Sequence, residues 1–132
     1  MKLRIRDSSF RFRITLKELE ELDRAGRLLV EARVGPGEPV LVYGISVDRT
    51  GGESRLELSP GQIMLWLSVD DVVSLSSADR EGVYLRREWF DSQAGRQRSL
   101  VFVEKDRPAV SCDKPELWIY DDHPGKEGGA GS

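Results

Sequence analysis

A single cysteine, Cys112, and a single histidine, His123, are all the thiol and imidazole chemistry that this chain of 132 residues carries. One thiol cannot close an internal disulfide, which fits a reducing compartment. No apolar run approaches the roughly 20 residues of a membrane span. Met1 to Ile14 alternates basic and apolar residues where a secretory leader would need an unbroken apolar segment. The expectation is a cytoplasmic protein without membrane contact. A strong overall charge is also missing. Lys and Arg number 20 against 23 Asp and Glu, a formal net charge of −3. That balance gives no global field toward nucleic acid or an anionic membrane, so such binding would need a local patch. Gly-x-Gly-x-x-Gly, a phosphate loop and Gly-x-Ser-x-Gly are absent. No catalytic set and no cofactor are therefore expected.

What the chain does have is periodicity. Leu3 and Ile5 are apolar at odd positions, and Phe10, Phe12 and Ile14 at even ones, so two strands meet at a change of parity. A two-residue turn at Ser8-Ser9 would pair Ile5 with Phe12 and Leu3 with Ile14, placing the apolar side chains on one face. Thr15 and Glu18 then read as a capping box. The helix they start carries Leu16, Leu19 and Leu22 and ends at Gly26. Strands follow at Leu28 to Val34 and Pro39 to Val47, separated by Gly35-Pro-Gly.

The order recurs at an offset of 53 residues. Leu3 and Ile5 meet Leu56 and Leu58, and Phe10, Phe12 and Ile14 meet Ile63, Leu65 and Leu67. Thr15 meets Ser68, Glu18 meets Asp71, and Leu16, Leu19 and Leu22 meet Val69, Val72 and Leu75. The strand Val30 to Arg33 corresponds to Val83 to Arg86, and Ser99 to Lys105 closes the second unit. Turn, strand, cap, helix and strand fall in step. Neither unit can bury its apolar face alone. The expectation is an α+β domain, a small mostly antiparallel barrel or sandwich with two short helices and a pseudo-twofold repeat. It would span residues 1–123, with units at about 3–47 and 56–105. Residues 124–132, rich in Gly, would form a flexible tail.

Candidate chemistry is sparse. The turn sets Arg6 against Arg11 and Arg4 against Arg13 on the outward face, where like charges repel. An acid such as Glu31 or Glu57, a bound anion or a phosphate would offset them. In the second unit Met64 and Trp66 take the places of Arg11 and Arg13, so that strand is apolar on both faces. It is either covered or shown to a partner, and Met64, Trp66, Trp89 and Phe90 are the interface candidates, with a homodimer the favoured assembly. Cys112, Asp113 and His123 match no metal-ligand spacing, and a Cys112–His123 nucleophile pair lacks an orienting group. Glu104 and Asp106, at the end of an apolar strand, are the carboxylates an enzyme would use.

The opening Met-Lys-Leu-Arg-Ile-Arg-Asp-Ser-Ser-Phe-Arg-Phe-Arg-Ile-Thr, the apolar strand leading into a capped helix and the late Phe-Val-Glu-Lys-Asp resemble a family of small bacterial proteins of unknown function. The likeness covers most of Met1 to Asp113. It implies a shared build and no particular activity. Members of that family carry Gly-Asn at the positions of Asp7-Ser8. A shorter likeness is to swapped-hairpin DNA-binding domains of the AbrB and MazE type, in which a basic strand, a turn and an apolar strand precede a small helix. It implies Arg4, Arg6, Arg11 and Arg13 as phosphate-facing residues. Glu57, Met64 and Trp66 break the symmetry such a DNA surface requires, which disfavours a duplex contact. The sequence thus points first to a noncatalytic binding or assembly module. A nucleic-acid regulator comes second and an enzyme third.

Overall fold

The computed structural model describes residues 1–106. Cys112, Asp113, His123 and the expected tail lie outside them. The chain runs β1 (Lys2–Arg6), β2 (Ser9–Ile14), α1 (Leu16–Ala25), β3 (Arg27–Ala32), β4 (Leu41–Asp48), β5 (Arg55–Ser59), β6 (Gln62–Ser68), α2 (Val69–Ser76), β7 (Gly82–Asp91) and β8 (Gly95–Lys105). The strands form two open four-stranded sheets, β1-β2-β8-β7 and β3-β4-β6-β5. The fold is α+β and sandwich-like, and neither sheet closes into a barrel.

Within each sheet the two outer pairs are antiparallel and the central pair is parallel. β2 lies along β8 with Phe12 beside Val103, and β6 lies along β4 with Leu65 beside Ile45. A hairpin cannot make a parallel pair, so each of these joins segments distant in the chain. Each sheet thus combines one hairpin from the first half with one from the second.

Period-two alternation then decides what is buried. The first sheet turns Phe12, Ile14, Val83, Val101 and Val103 inward, and the second contributes Ile45, Ile63, Leu65 and Leu67. Leu19 and Leu22 of α1, with Val72 and Leu75 of α2, complete this core. Each such side chain contributes about 1.5–3 kcal/mol when fully buried.

The helices start as their sequences direct. The Thr15 hydroxyl accepts from the Glu18 N–H at 3.0 Å, and the Glu18 carboxylate accepts from the Thr15 N–H at 2.9 Å. Gly26 adopts φ 81°, left-handed backbone that favours glycine, and its N–H closes α1 on the Leu22 carbonyl at 2.8 Å. The Ser68 hydroxyl caps α2 by accepting from the Asp71 N–H at 3.1 Å.

The first turn is Asp7-Ser8, one residue earlier than the sequence suggests. Asp7 takes φ 51°, a conformation that aspartate tolerates better than most residues. Leu3 therefore faces Phe12, Ile5 faces Phe10, and Arg4 faces Arg11. The slip moves each partner by two positions, so the apolar residues stay on one face. The offset of 53 also fails beyond the helices. Leu28 faces Ile45 as Val83 faces Val103, so Leu28, and not Val30, is the counterpart of Val83. The longer connection after the second helix accounts for the shift: only Gly26 separates α1 from β3, whereas residues 77–81 separate the shorter α2 from β7.

One strand crossing is especially tight. A methyl group on Gly44 would lie 2.2 Å from the Leu28 carbonyl oxygen and 2.7 Å from Leu29 Cδ2. Gly44→Ala should lower the free energy of unfolding by about 1–3 kcal/mol. Gly35→Ala, at a site with nothing within 4 Å, should be nearly neutral. Urea denaturation of the two variants checks the contrast.

Candidate functional site

With the apolar residues of the first sheet committed to the core, the intervening residues share its open face. They include Lys2, Arg4 and Arg6 of β1, Arg11 and Arg13 of β2, Arg86 of β7, and Arg96 and Arg98 of β8. Glu88 and Glu104 are the carboxylates of these four strands on that face. Tyr84, Phe90 and Phe102 occupy it as well. Arg4, Arg6, Arg11 and Arg13, singled out from the sequence, are thus brought together, and β7 and β8 add to them.

The like-charge opposition is offset by acids other than those expected. Arg11 Nε lies 3.4 Å from Glu104 Oε1, and Arg13 Nε lies 4.0 Å from the same oxygen. Lys2 Nζ lies 3.3 Å from Asp106. Glu31 and Glu57 belong to the other sheet, where they pair with Arg33 and Arg55. Sequence alone could not foresee this, because the parallel β2–β8 pairing is what sets Glu104 beside Arg13. The same contacts bear on Glu104 and Asp106 as acid and base: both are ion-paired with the basic face.

The aromatic residues form a graded series. The Arg11 guanidinium sits over the Phe102 ring, 5.0 Å from its centroid. Tyr84 meets Phe102 edge-on at 5.6 Å and 70°. Partial burial, together with the charge of Glu104 and a hydrogen bond to it, raises the Tyr84 phenol above its ordinary pKa, so it stays protonated at neutral pH. Tyr84 is 55% exposed and Phe90 76%.

The second sheet's outer face is different. Met64 is only 6% exposed, and its sulfur accepts from the Ser46 hydroxyl at 3.6 Å. Ser46 in turn accepts from Arg27 Nε at 3.3 Å. The Trp66 indole donates to Glu57 at 3.0 Å and lies beneath Arg55, whose guanidinium is 5.4 Å from the ring centroid. Met64 is covered by its own chain, so it presents almost no surface to a partner.

Trp89 and Phe90 stand on a feature the sequence did not reveal. β8 pairs with β2 only from Leu100 onward, so among the described residues Gly95 to Ser99 pair with β7 alone and form a two-stranded arm. Trp89 and Phe90 point to opposite faces of it. On the Trp89 side a groove of about 1090 Å³ opens between the arm, the Asp7-Ser8 turn and β5. Phe10, Leu56, Leu58 and Leu85 line it, with Arg55 and Arg87 among its polar residues. The arm was missed because its residues are mostly polar. Only their alternation, together with Gly95 at φ 82° in the turn, could have signalled a hairpin.

The two halves repeat polar contacts as well as strands. Lys2 pairs with Asp106 at the end of β8, and its counterpart Arg55 pairs with Asp48 at the end of β4 at 2.7 Å. The Met1 amino group binds Glu18, and the Ser54 hydroxyl binds Asp71. Among the described residues no group of three His, Cys, Asp or Glu could hold a metal, and no helix is long and apolar enough to cross a membrane.

Asp48 accepts from the Thr50 hydroxyl at 2.6 Å, from Arg55 at 2.7 Å and from the Thr50 N–H at 2.9 Å. Hydrogen bonds from Thr50 and then Arg55 lower its pKa from 3.8 to about 2. The folded state therefore releases this proton more readily than the unfolded state. The resulting stability is fully present above pH ~4 and is lost as pH falls toward about 2. Thermal melting from pH 5 to pH 2 should show Asp48→Asn less stable than the parent at pH 5, with the difference shrinking as pH falls.

The family model described as a family of unknown function (DUF7009) matches residues 1–114, and the chain belongs to that family. No curated protein and no solved structure matches it.

Proposed function

From membership of a family of unknown function, we propose that this chain is a noncatalytic binding module whose working surface is the open face of the first sheet and whose ligand is nucleic acid. The observation that carries the reading is the gathering of eight Lys and Arg side chains and three aromatic rings on one sheet face, in a chain of net charge −3. Segregation of this kind supplies the local patch that the overall charge denies. Glu104 and Asp106 hold that face together, which leaves them a structural role in this reading. A cytoplasmic setting accords with it.

Fluorescence anisotropy with labelled oligonucleotides at several salt concentrations tests the reading. Affinity should fall steeply as salt rises. Replacing the exposed Arg6, Arg96 and Arg98 with Ser should flatten the log–log slope by about 2–3, near 0.7–0.9 per lost phosphate contact. No binding at low salt, or an unchanged slope in the triple variant, would reject it.

The matched parallel pairs and ion pairs support a further part of this reading: the chain consists of two copies of one strand-turn-strand-helix-strand unit, of which only the first kept its basic strand.

A second reading is homodimerisation through the groove beside Trp89. It is favoured by two large apolar side chains facing that groove in the open, Leu58 at 59% and Trp89 at 43% exposure. Sedimentation velocity should then show a dimer that dissociates in Leu58→Arg. A monomer at about 100 µM, far above a typical specific-dimer Kd, would remove it.

A further inference from the structure

Resting on the nucleic-acid reading, we infer that this face takes single-stranded rather than duplex nucleic acid, with unpaired bases stacking on Tyr84 and Phe90.

The two rings project from the same side of β7, six positions apart and therefore roughly 20 Å from each other along the strand. That span accommodates several nucleotides of an extended strand, within the ~4–16 nucleotides that sheet-based single-strand binders cover. Arg86 on β7 and Arg96 and Arg98 on β8 lie between or beside the rings on the same face, where a sugar-phosphate backbone would run.

Tyr84 is held by the edge contact with Phe102, which in turn packs under Arg11. This ring is ordered before any ligand arrives, so little side-chain entropy remains to be lost. Phe90 is more than three-quarters exposed, on an arm that no third strand among the described residues supports. An isolated hairpin is marginal in water, and a bare phenyl on one adds nothing to its folded stability. A base stacked on the ring would remove that apolar surface from water.

Duplex DNA cannot supply the same contact. Its bases are covered above and below by their neighbours, and exposing one costs a few kcal/mol per step. The described residues place no helix on this face to enter a major groove. A duplex would meet the arginines and leave both rings wet. Glu88 and Glu104 also dilute the positive charge, so phosphate attraction alone is a weaker source of affinity here than phosphate attraction combined with stacking.

The test compares, with the full chain, a labelled single-stranded oligonucleotide of mixed sequence, a hairpin duplex of the same length, inorganic polyphosphate and poly-glutamate. The single strand should bind at least ten-fold more tightly than the duplex. Phe90→Ala should weaken single-strand binding about 5- to 150-fold, the loss expected for one stacked ring, with the salt slope unchanged. Phe90→Trp should restore it, and polyphosphate binding should not respond to either variant. Phe90 is 76% exposed among the described residues, so its variants should melt much like the parent; Tyr84→Ala, which loses the Phe102 contact, is the secondary variant. Equal affinity for single strand and duplex, or an unaffected Phe90→Ala, overturns stacking while leaving the electrostatic surface intact. Poly-glutamate binding as tightly as the oligonucleotide overturns the inference in favour of an acidic protein. No binding of any probe removes both this inference and the reading beneath it.

Discussion

The parallel pairing of β2 with β8 and of β4 with β6 is the constraint on which the other features depend. Each pair joins strands that no tight turn could bring together: β4 reaches β6 by way of β5, and β2 reaches β8 only after both helices and the five strands β3 to β7. α1 and α2 both lie on the longer of these paths and add Leu19, Leu22, Val72 and Leu75 to the core. The pairing also carries the polar design. Because β8 runs beside β2, Glu104 reaches Arg11 and Arg13, and Asp106 beyond the strand end reaches Lys2. The corresponding end of β4 places Asp48 against Arg55. Ion pairs of this kind add little stability individually, since long side chains in water lose entropy to form them. Their larger effect is to make a row of cations compatible with a folded sheet.

Strand alternation does the rest. Once the odd residues of β1 and the even residues of β2 face the core, the basic residues between them have no direction but outward. The basic face is a consequence of burial elsewhere and needs no separate folding signal. In the second sheet the same geometry yields the opposite surface. Ser46 bonds Met64 there and accepts from Arg27, while Trp66 bonds Glu57 and lies beneath Arg55.

The legible parts of this fold were those encoded over short distances. The Thr15–Glu18 box, the Gly26 stop, the apolar strands and the matching order of the two units could all be read from neighbouring residues. Three things could not. The Asp7-Ser8 turn and the predicted Ser8-Ser9 turn preserve the same parity, so the hydrophobic pattern does not distinguish them. The partners of the arginines depend on a strand ninety residues away, and Glu31 and Glu57 were simply the acids at hand. The β7–β8 arm is the third. It has no second face to bury, so nothing in its composition marked it as strand, and the two aromatic residues on it read as interface candidates without a geometry. Of the four such candidates, the structure covers Met64, ties Trp66 to Glu57 and Arg55, and leaves Trp89 and Phe90 outward.

The difference between the two sheet faces follows from the same alternation and bears on how one unit could serve two purposes. A pair of intertwined units needs both inner faces apolar, so substitutions there are constrained in each copy. Outer faces carry no such demand. The outer positions that Arg11 and Arg13 hold in the first sheet, where both pair with Glu104, are held in the second by Met64, which is buried, and Trp66, which bonds Glu57. An arm that extends β7 and β8 past the edge of β2 lengthens the open face, adding Arg96, Arg98 and Phe90 where the sheet would otherwise end, and sets Trp89 beside the groove on its other side. The asymmetry is therefore concentrated at outward positions and on the arm. In the proposed reading the open face of the first sheet binds and the second sheet supports it.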